Sequence, residues 1–249
     1  MARPTLVLLS LSPWSERARW AFDHHRLAYT RIDHAPVLGE RRLRKIVGRR
    51  DGRPATVPVL VDGDTVLTDS WDIAQYADRL GSGPKLLPAE HAAEIRRWND
   101  LADRTMAHGR ALVVAGLLAD PDALDESMPP GVPKLVRVLA RPVNRLGTKW
   151  FARKYGVDIT DLAPHEAAIR EGLAALRAGL GGNDYLLGGF TYADIVLTNL
   201  LQAVVPVADE YMQVGPATRR TWTHPALARE FADLVQWRDD LYRRHRRPA

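Results

Sequence analysis

The chain has 249 residues, 46% apolar and 26% charged, which excludes a disordered or fibrous chain and allows one large domain or two ordinary ones. A formal net charge of +5 concentrates anionic ligands without choosing among nucleic acid, a small acidic peptide and an anionic membrane. There is no cysteine, so disulfides, Cys-ligated zinc and any protein thiol nucleophile are excluded; a thiol used here arrives with a ligand.

An apolar run over residues 6–9 predicts a short buried strand, followed at once by a helix start and too short for the core of an export signal. Pro13 suits a first helical position, where its missing N–H is no loss, and the helix runs to about His25. Ser12 then falls at the N-cap. Its hydroxyl there either caps its own helix or donates to an anion, such as a thiolate, docked on the positive helix end. Residues 28–33 predict a second strand, 38–47 a short amphipathic helix, and 49–54 a loop. Two β-branched runs flank Asp62-Gly63, so residues 57–67 predict a hairpin. Another helix opens at Asp69-Ser70 and runs to about Leu80. The order βαβα, hairpin, helix predicts a small α/β domain with a mixed sheet. Gly81-Ser82-Gly83-Pro84 breaks the pattern and sets the expected domains at 1–83 and 84–249.

The second part reads as helical. Residues 89–118 form a long apolar-periodic run, with Ile95, Trp98, Leu101 and Ala102 on one face. Residues 120–133, rich in Pro and Asp, predict a loop; 134–155 predict a helical run interrupted at Pro142 and Gly147; 165–180 predict another helix. Thr191 is an N-cap with Asp194 reaching back to it, and Phe190 with Ile195 form a hydrophobic staple. The helix they launch is apolar nearly all round, which predicts the central buried helix of the second domain. Residues 225–241 make a last helix, and the arginine-rich 243–247 a frayed, solvated tail. No apolar stretch is long enough to span a bilayer, so a cytoplasmic protein is expected.

Three groups of residues carry a family resemblance: Ser12-Pro13-Trp14 with Arg17 and Arg19, Val57-Pro58 with Asp69-Ser70, and Phe190-Thr191-Tyr192-Ala193-Asp194. In this order and at these separations the chain resembles a cytosolic glutathione S-transferase, serine-type and bacterial-like, over nearly its full length. The resemblance implies a thioredoxin-like α/β N-terminal domain that binds glutathione and an all-α C-terminal domain that supplies a hydrophobic substrate pocket. It implies that Ser12 is the catalytic serine, that Val57 and a cis Pro58 meet the cysteinyl part of glutathione, and that Asp69 and Ser70 hold its γ-glutamyl end. The chemistry is consistent with those residue types: a carboxylate for an ammonium, and a hydroxyl with free N–H groups at a helix end for a carboxylate. Ser15 is the reserve for Ser12, and Ser10 the least suited.

Many relatives carry a basic residue just before the Val-Pro, where this chain has Thr56; Arg53, or Lys45 and Arg44, are the substitutes for the glycine carboxylate of glutathione. The run 41–53 carries seven basic residues, which serve either that purpose or a solvated face. Trp14, Met106 and Arg110, with His108 beside them, are the residues expected around the second substrate. His24, His25 and His91 have no metal-ligand spacing, so no metal is expected. Asp239-Asp240 and Asp100 with Asp103 read as solvated helix positions, and no glycine-rich phosphate loop is present. The expected activity is conjugation of glutathione, as co-substrate, to a small hydrophobic electrophile, with isomerase and peroxidase variants through the same thiolate. A homodimer acting in detoxification, with no nucleic-acid and no membrane partner, completes the expectation. A non-catalytic binding or scaffold protein on the same fold is the alternative.

Overall fold

The structure, a computed structural model, describes residues 3–48, 54–128 and 131–247. It opens with β1 (Thr5–Leu8), α1 (Pro13–His24), β2 (Thr30–Asp33), α2 (Glu40–Val47), β3 (Val59–Asp62), β4 (Thr65–Leu67) and α3 (Ser70–Leu80). The four strands form one mixed sheet in the order β2-β1-β3-β4. β1 is parallel to β2 and antiparallel to β3, and β3 is antiparallel to β4. Side chains alternate across a strand, so Val7 and Val59, which pair across the sheet, share a face and pack with Leu43 of α2 and Ala55. Leu6, Leu8 and Leu60, one residue out of phase, are fully buried as well, so the central strands have apolar residues on both faces. The hairpin closes through a two-residue loop, Gly63-Asp64, between the paired Asp62 and Thr65, with Gly63 at φ 57° as such a loop requires. The Tyr76 hydroxyl donates to Asp62 and so ties α3 to the hairpin; burial first, then this carboxylate, pushes the phenol up to about 12.

The remainder is helical: α4 (Ala92–Ala119), α5 (Pro121–Glu126), α6 (Lys134–Lys154), α7 (Ala163–Leu180), α8 (Tyr192–Leu200), α9 (Pro216–Trp222), α10 (Pro225–Glu230) and α11 (Ala232–His245), with short 3-10 turns at Ala89–His91 and Leu201–Ala203. This is the thioredoxin-like plus all-α architecture read from the sequence. The chain falls into two compact units. One takes the residues up to Asn99, Gly182–Asn199 and the segment from Asp240; the other takes Asp100–Gly181 and Leu200–Asp239.

Three sequence expectations are corrected. The predicted loop at 120–133 contains α5: Asp120 caps it through Oδ1, accepting from the Asp122 and Ala123 amides at 2.9 and 3.2 Å, and Pro121 occupies its first position. Pro and Asp, read as breakers, are here the start signal of a helix. The interruption at Pro142 and Gly147 is absent, for α6 is continuous over Lys134–Lys154. Pro142 lies on an exposed face, where water can take up the carbonyl its ring leaves unbonded. The arginine tail is not solvated throughout: Arg246 is only 5% exposed and His245 stacks on Phe190 with ring centroids 3.9 Å apart.

In the first unit, α8 is buried along its whole length. It groups with this unit as far as Asn199. Asp194, at its third position, is fully buried and accepts from the Thr191 amide at 2.7 Å, the Thr191 hydroxyl at 3.0 Å and the Leu186 amide at 3.0 Å. The reach-back to Thr191 is present as the spacing predicts. The Leu186 bond extends it to the loop before the helix.

In the second unit, α5 packs on α6 and α9, and Val114, Leu118 and Ala152 form a core with Phe151, Val157 and Ile159. The Glu126 carboxylate caps α9, accepting from the Ala217 and Thr218 amides at 3.1 and 2.7 Å. Gly215 admits it: a Cβ there would lie 2.2 Å from the Glu126 carboxyl carbon. Gly215→Ala is therefore expected to lower stability by about 1–3 kcal/mol through displacement of the cap, seen as a lower urea midpoint with an unchanged slope.

Candidate functional site

Strand directions gather the candidate residues. β1 and β2 end together, with Leu8 opposite Asp33. β3 starts at that same end, since Val59 pairs with Val7, and β4 finishes there, since Leu67 pairs with Leu60. The segment Leu9–Ser12, the loop after β2, the approach to β3 through Val57-Pro58 and the entry to α3 at Asp69-Ser70 consequently cluster at one end of the sheet. In a mixed sheet of this kind, the loops at one end supply the site and the strands supply rigidity.

Ser12 is the N-cap of α1, in extended conformation, and its Oγ accepts from the Ser15 amide at 3.4 Å. That bond is long and uses a lone pair of the oxygen, so it leaves the hydroxyl proton available to an acceptor in front of the helix. Ser15, the reserve candidate, is 1% exposed and its Oγ accepts from the Leu9 amide at 3.1 Å, fastening the loop between β1 and α1. Ser10 is exposed, and its hydroxyl donates to Asp33 and accepts from Arg31 at 2.7 Å.

The Val57–Pro58 peptide bond is cis. β3 begins only at Val59, so the Val57 amide and carbonyl lie outside the strand ladder at the clustered end of the sheet. Asp69 caps α3, with Oδ1 accepting from the Trp71 amide at 2.8 Å, and its side chain is exposed. Ser70, the first residue of α3, is 4% exposed. Asp72, two positions further into the first turn, has its carboxyl held above the ordinary range by partial burial and then by Asp69.

Lys45 and Arg44 are exposed on α2, and Arg53 lies outside the described residues. Trp14 is half-buried on the first turn of α1, with the Arg17 guanidinium 5.7 Å from its ring centre. Met106 and Arg110 belong to the second unit. Met106 is a core residue at 5% exposure, and Arg110 lies 4.4 Å from the Tyr155 ring centre, with burial lowering its pKa.

Two features escaped the sequence reading. Arg17 served there as a family marker only, yet its side chain is fully buried, which places a permanent cation in the helix that Ser12 opens. Its apolar neighbours Trp14, Ala18 and Trp20 gave the one available hint. Val37, in the loop after β2, sits at φ 70°, a strained backbone for a β-branched residue, and Leu38 beside it is 77% exposed. Nothing in the sequence around Val37 signals that conformation. Among the described residues no group of carboxylates and histidines is placed to hold a metal, and no helix is long and apolar enough to cross a membrane.

Comparison with known proteins fits this geometry. Residues 11–80 match the family described as glutathione S-transferase, N-terminal domain. No curated protein sequence matches the chain. Among solved structures, the chain is similar to a glutathione S-transferase from Methylobacillus flagellatus with glutathione bound, at 16% identity and TM-score 0.57, covering 99% of this chain and 100% of that one. It is similar to the beta-etherase LigF from Sphingobium sp. strain SYK-6, at 17% identity and TM-score 0.65, covering 97% and 95%. It is also similar to a glutathione S-transferase domain-containing protein from Marinobacter aquaeolei, at 20% identity and TM-score 0.64, covering 96% and 98%. Residues 11–80 thus carry the N-terminal domain of the glutathione S-transferase family, and the fold of the whole chain is similar to that of solved glutathione S-transferases.

Proposed function

We propose that this chain binds glutathione at the clustered end of its sheet and transfers the sulfur to a small hydrophobic electrophile, with Ser12 holding the thiolate. The placement of Ser12 carries the reading: a half-buried N-cap hydroxyl whose proton is uncommitted, at the positive end of α1. A free thiol ionises only near pH 8.5. A hydroxyl donor and the first-turn amides of α1 both favour the anion over the thiol, and each unit of lowering corresponds to about 1.4 kcal/mol. The thiolate then attacks an electrophilic carbon: the C–S bond forms while a halide leaves with its electron pair, or an epoxide C–O bond opens and its oxygen takes up a proton.

The other roles follow from residue chemistry. The exposed Asp69 carboxylate suits the α-ammonium of the γ-glutamyl end, and the α3 N-terminus at Ser70 suits its carboxylate. The backbone of Val57, ahead of Pro58, suits pairing with the cysteinyl amide. Lys45 and Arg53 are the cations available for the glycine carboxylate, since Thr56 carries no charge. Trp14 offers an aromatic wall to an apolar acceptor. The glutathione bound in the Methylobacillus flagellatus structure supports the choice of thiol. A cytoplasmic homodimer acting in detoxification belongs to the same reading.

Ser12→Ala tests it. The expected result is a fall of about 10- to 100-fold in kcat/KM with a chloro-nitroaromatic acceptor, and a rise of about one unit or more in the thiol pKa of bound glutathione, while glutathione is still bound. Unchanged rate and unchanged thiol titration would overturn the assignment. Thr56 favours a second reading, a scaffold that has lost the ligand. Glutathione at one hundred times its Kd should stabilise the folded chain by about 2.7 kcal/mol, and no thermal shift at millimolar ligand would select the scaffold.

A further inference from the structure

Away from that site, α6 carries a surface to which the fold gives no covering. Its 21 residues include seven basic side chains and no acidic one. Leu135, Leu139, Val143 and Leu146 recur at helical spacing and are 71%, 72%, 73% and 64% exposed. Arg145, Lys149 and Arg153, also exposed, form a second row four residues apart, about 70° around the helix from the apolar one. The opposite side of α6 faces its own unit. Thr148 and Ala152 are buried there, and Arg141 grips Asp125 with Nε and Nη2 at 2.8 and 2.7 Å. Arg137 donates to the Val132 and Asp125 carbonyls. The acidic side chains of α5 are thus engaged on that inner side, and among the described residues no carboxylate pairs with Arg145, Lys149 or Arg153.

Four large apolar side chains exposed in one stripe are a surface that expects a partner. An apolar stripe bordered by unpaired cations matches the boundary between lipid headgroups and acyl chains. We propose that α6 docks this chain on an anionic bilayer, with Leu135, Leu139, Val143 and Leu146 below the headgroups and Arg145, Lys149 and Arg153 level with the phosphates. Charge decides the occupant. A second copy docked antiparallel on the same face would set the two basic rows side by side, whereas anionic lipid neutralises them. Trp150, half-buried further along the apolar row, has the amphipathic ring favoured at that depth. The attachment is peripheral. It revises the sequence expectation of no membrane partner, which rested on the want of a spanning segment, and it does not depend on the glutathione reading.

Co-sedimentation of the full chain with vesicles of phosphatidylcholine alone, and of phosphatidylcholine with about one-third phosphatidylserine, tests this. Binding is expected to the anionic vesicles only, and to weaken when salt rises from about 0.1 M to about 0.5 M. Each cation near such a surface is worth about fivefold, so Lys149→Gln with Arg153→Gln should weaken partitioning about 25-fold. Leu139→Ser with Leu146→Ser should abolish it. All four positions are solvent-facing, so thermal melting of both variants should match the parent. Equal binding to neutral vesicles, binding indifferent to both variants, or no binding at all would overturn the proposal. Sedimentation equilibrium covers the rival occupant: a dimer that Leu139→Ser with Leu146→Ser dissociates, in a chain that ignores vesicles, assigns the stripe to a second copy and overturns it as well.

Discussion

Arg246→Ala is expected to lower the unfolding free energy by about 3–5 kcal/mol, the range for removing one partner from a buried charge cluster. The Arg246 side chain is 1% exposed; its Nε and Nη2 donate to the two Glu16 oxygens at 2.6 and 3.3 Å, and its Nη1 donates to Asp23 at 2.6 Å. Burial works against the guanidinium charge, but Glu16 and Asp23 outweigh it and hold the pKa above its ordinary value, so the group stays a cation throughout the working range. Alanine would leave both α1 carboxylates with an unmatched charge, Glu16 at 12% and Asp23 at 24% side-chain exposure. Arg19 relieves only part of this, reaching Glu16 at 3.3 Å. Arg246→Lys keeps the charge and loses the fork, and should fall between alanine and the parent. Urea unfolding at neutral pH measures all three, and an unchanged midpoint for Arg246→Ala would mean that the tail is solvated after all.

Asp194→Ala should be comparably severe, at about 3–4 kcal/mol, because it strands the buried Thr191 N–H, the part-buried Leu186 N–H and the Thr191 hydroxyl together. The same carboxyl carries a pH signature. Burial raises its pKa from 3.8 to about 6, against the opposing pull of the Leu186 and Thr191 donors. Between about pH 4 and 6 the native chain therefore keeps a proton that the unfolded chain has released, and folding is favoured as pH falls through that window. Stability from this group is present at acid pH and is lost as pH rises through 6. Relative to Asp194→Asn, which does not titrate, the parent should gain about 2–3 kcal/mol between pH 7 and pH 4, read from urea midpoints at each pH. A difference between the two that stays constant with pH would show that Asp194 is not raised.

The sequence made the first unit legible because its signals are local. Val59 to Leu67 alternate around a glycine that can take positive φ, and Pro13 behind Ser12 marks a helix start within four residues. The convergence of Ser12, Val57 and Asp69 was implied by family resemblance, while the structure derives it from strand direction. What stayed hidden depends on distant partners. Pro121 and Pro142 look alike in a window, yet one sits at a first helical turn behind an Asp cap and the other in the exposed interior of α6. Arg246 reads as solvated beside four other basic or imidazole residues, because its carboxylates lie 230 and 223 residues earlier. The burial of Arg17 has the same cause, since it follows from the packing around α1.

The 230-residue span from Glu16 to Arg246 bears on how the chain is made. A ribosome delivers the sheet and α1 long before it delivers the guanidinium that neutralises them, and α8, which also completes this unit, emerges only after most of the second. The nascent first unit thus waits with paired acidic side chains and an open apolar flank while other helices form. Chaperone engagement during translation should accordingly fall on the early strands, and release should track the emergence of α11.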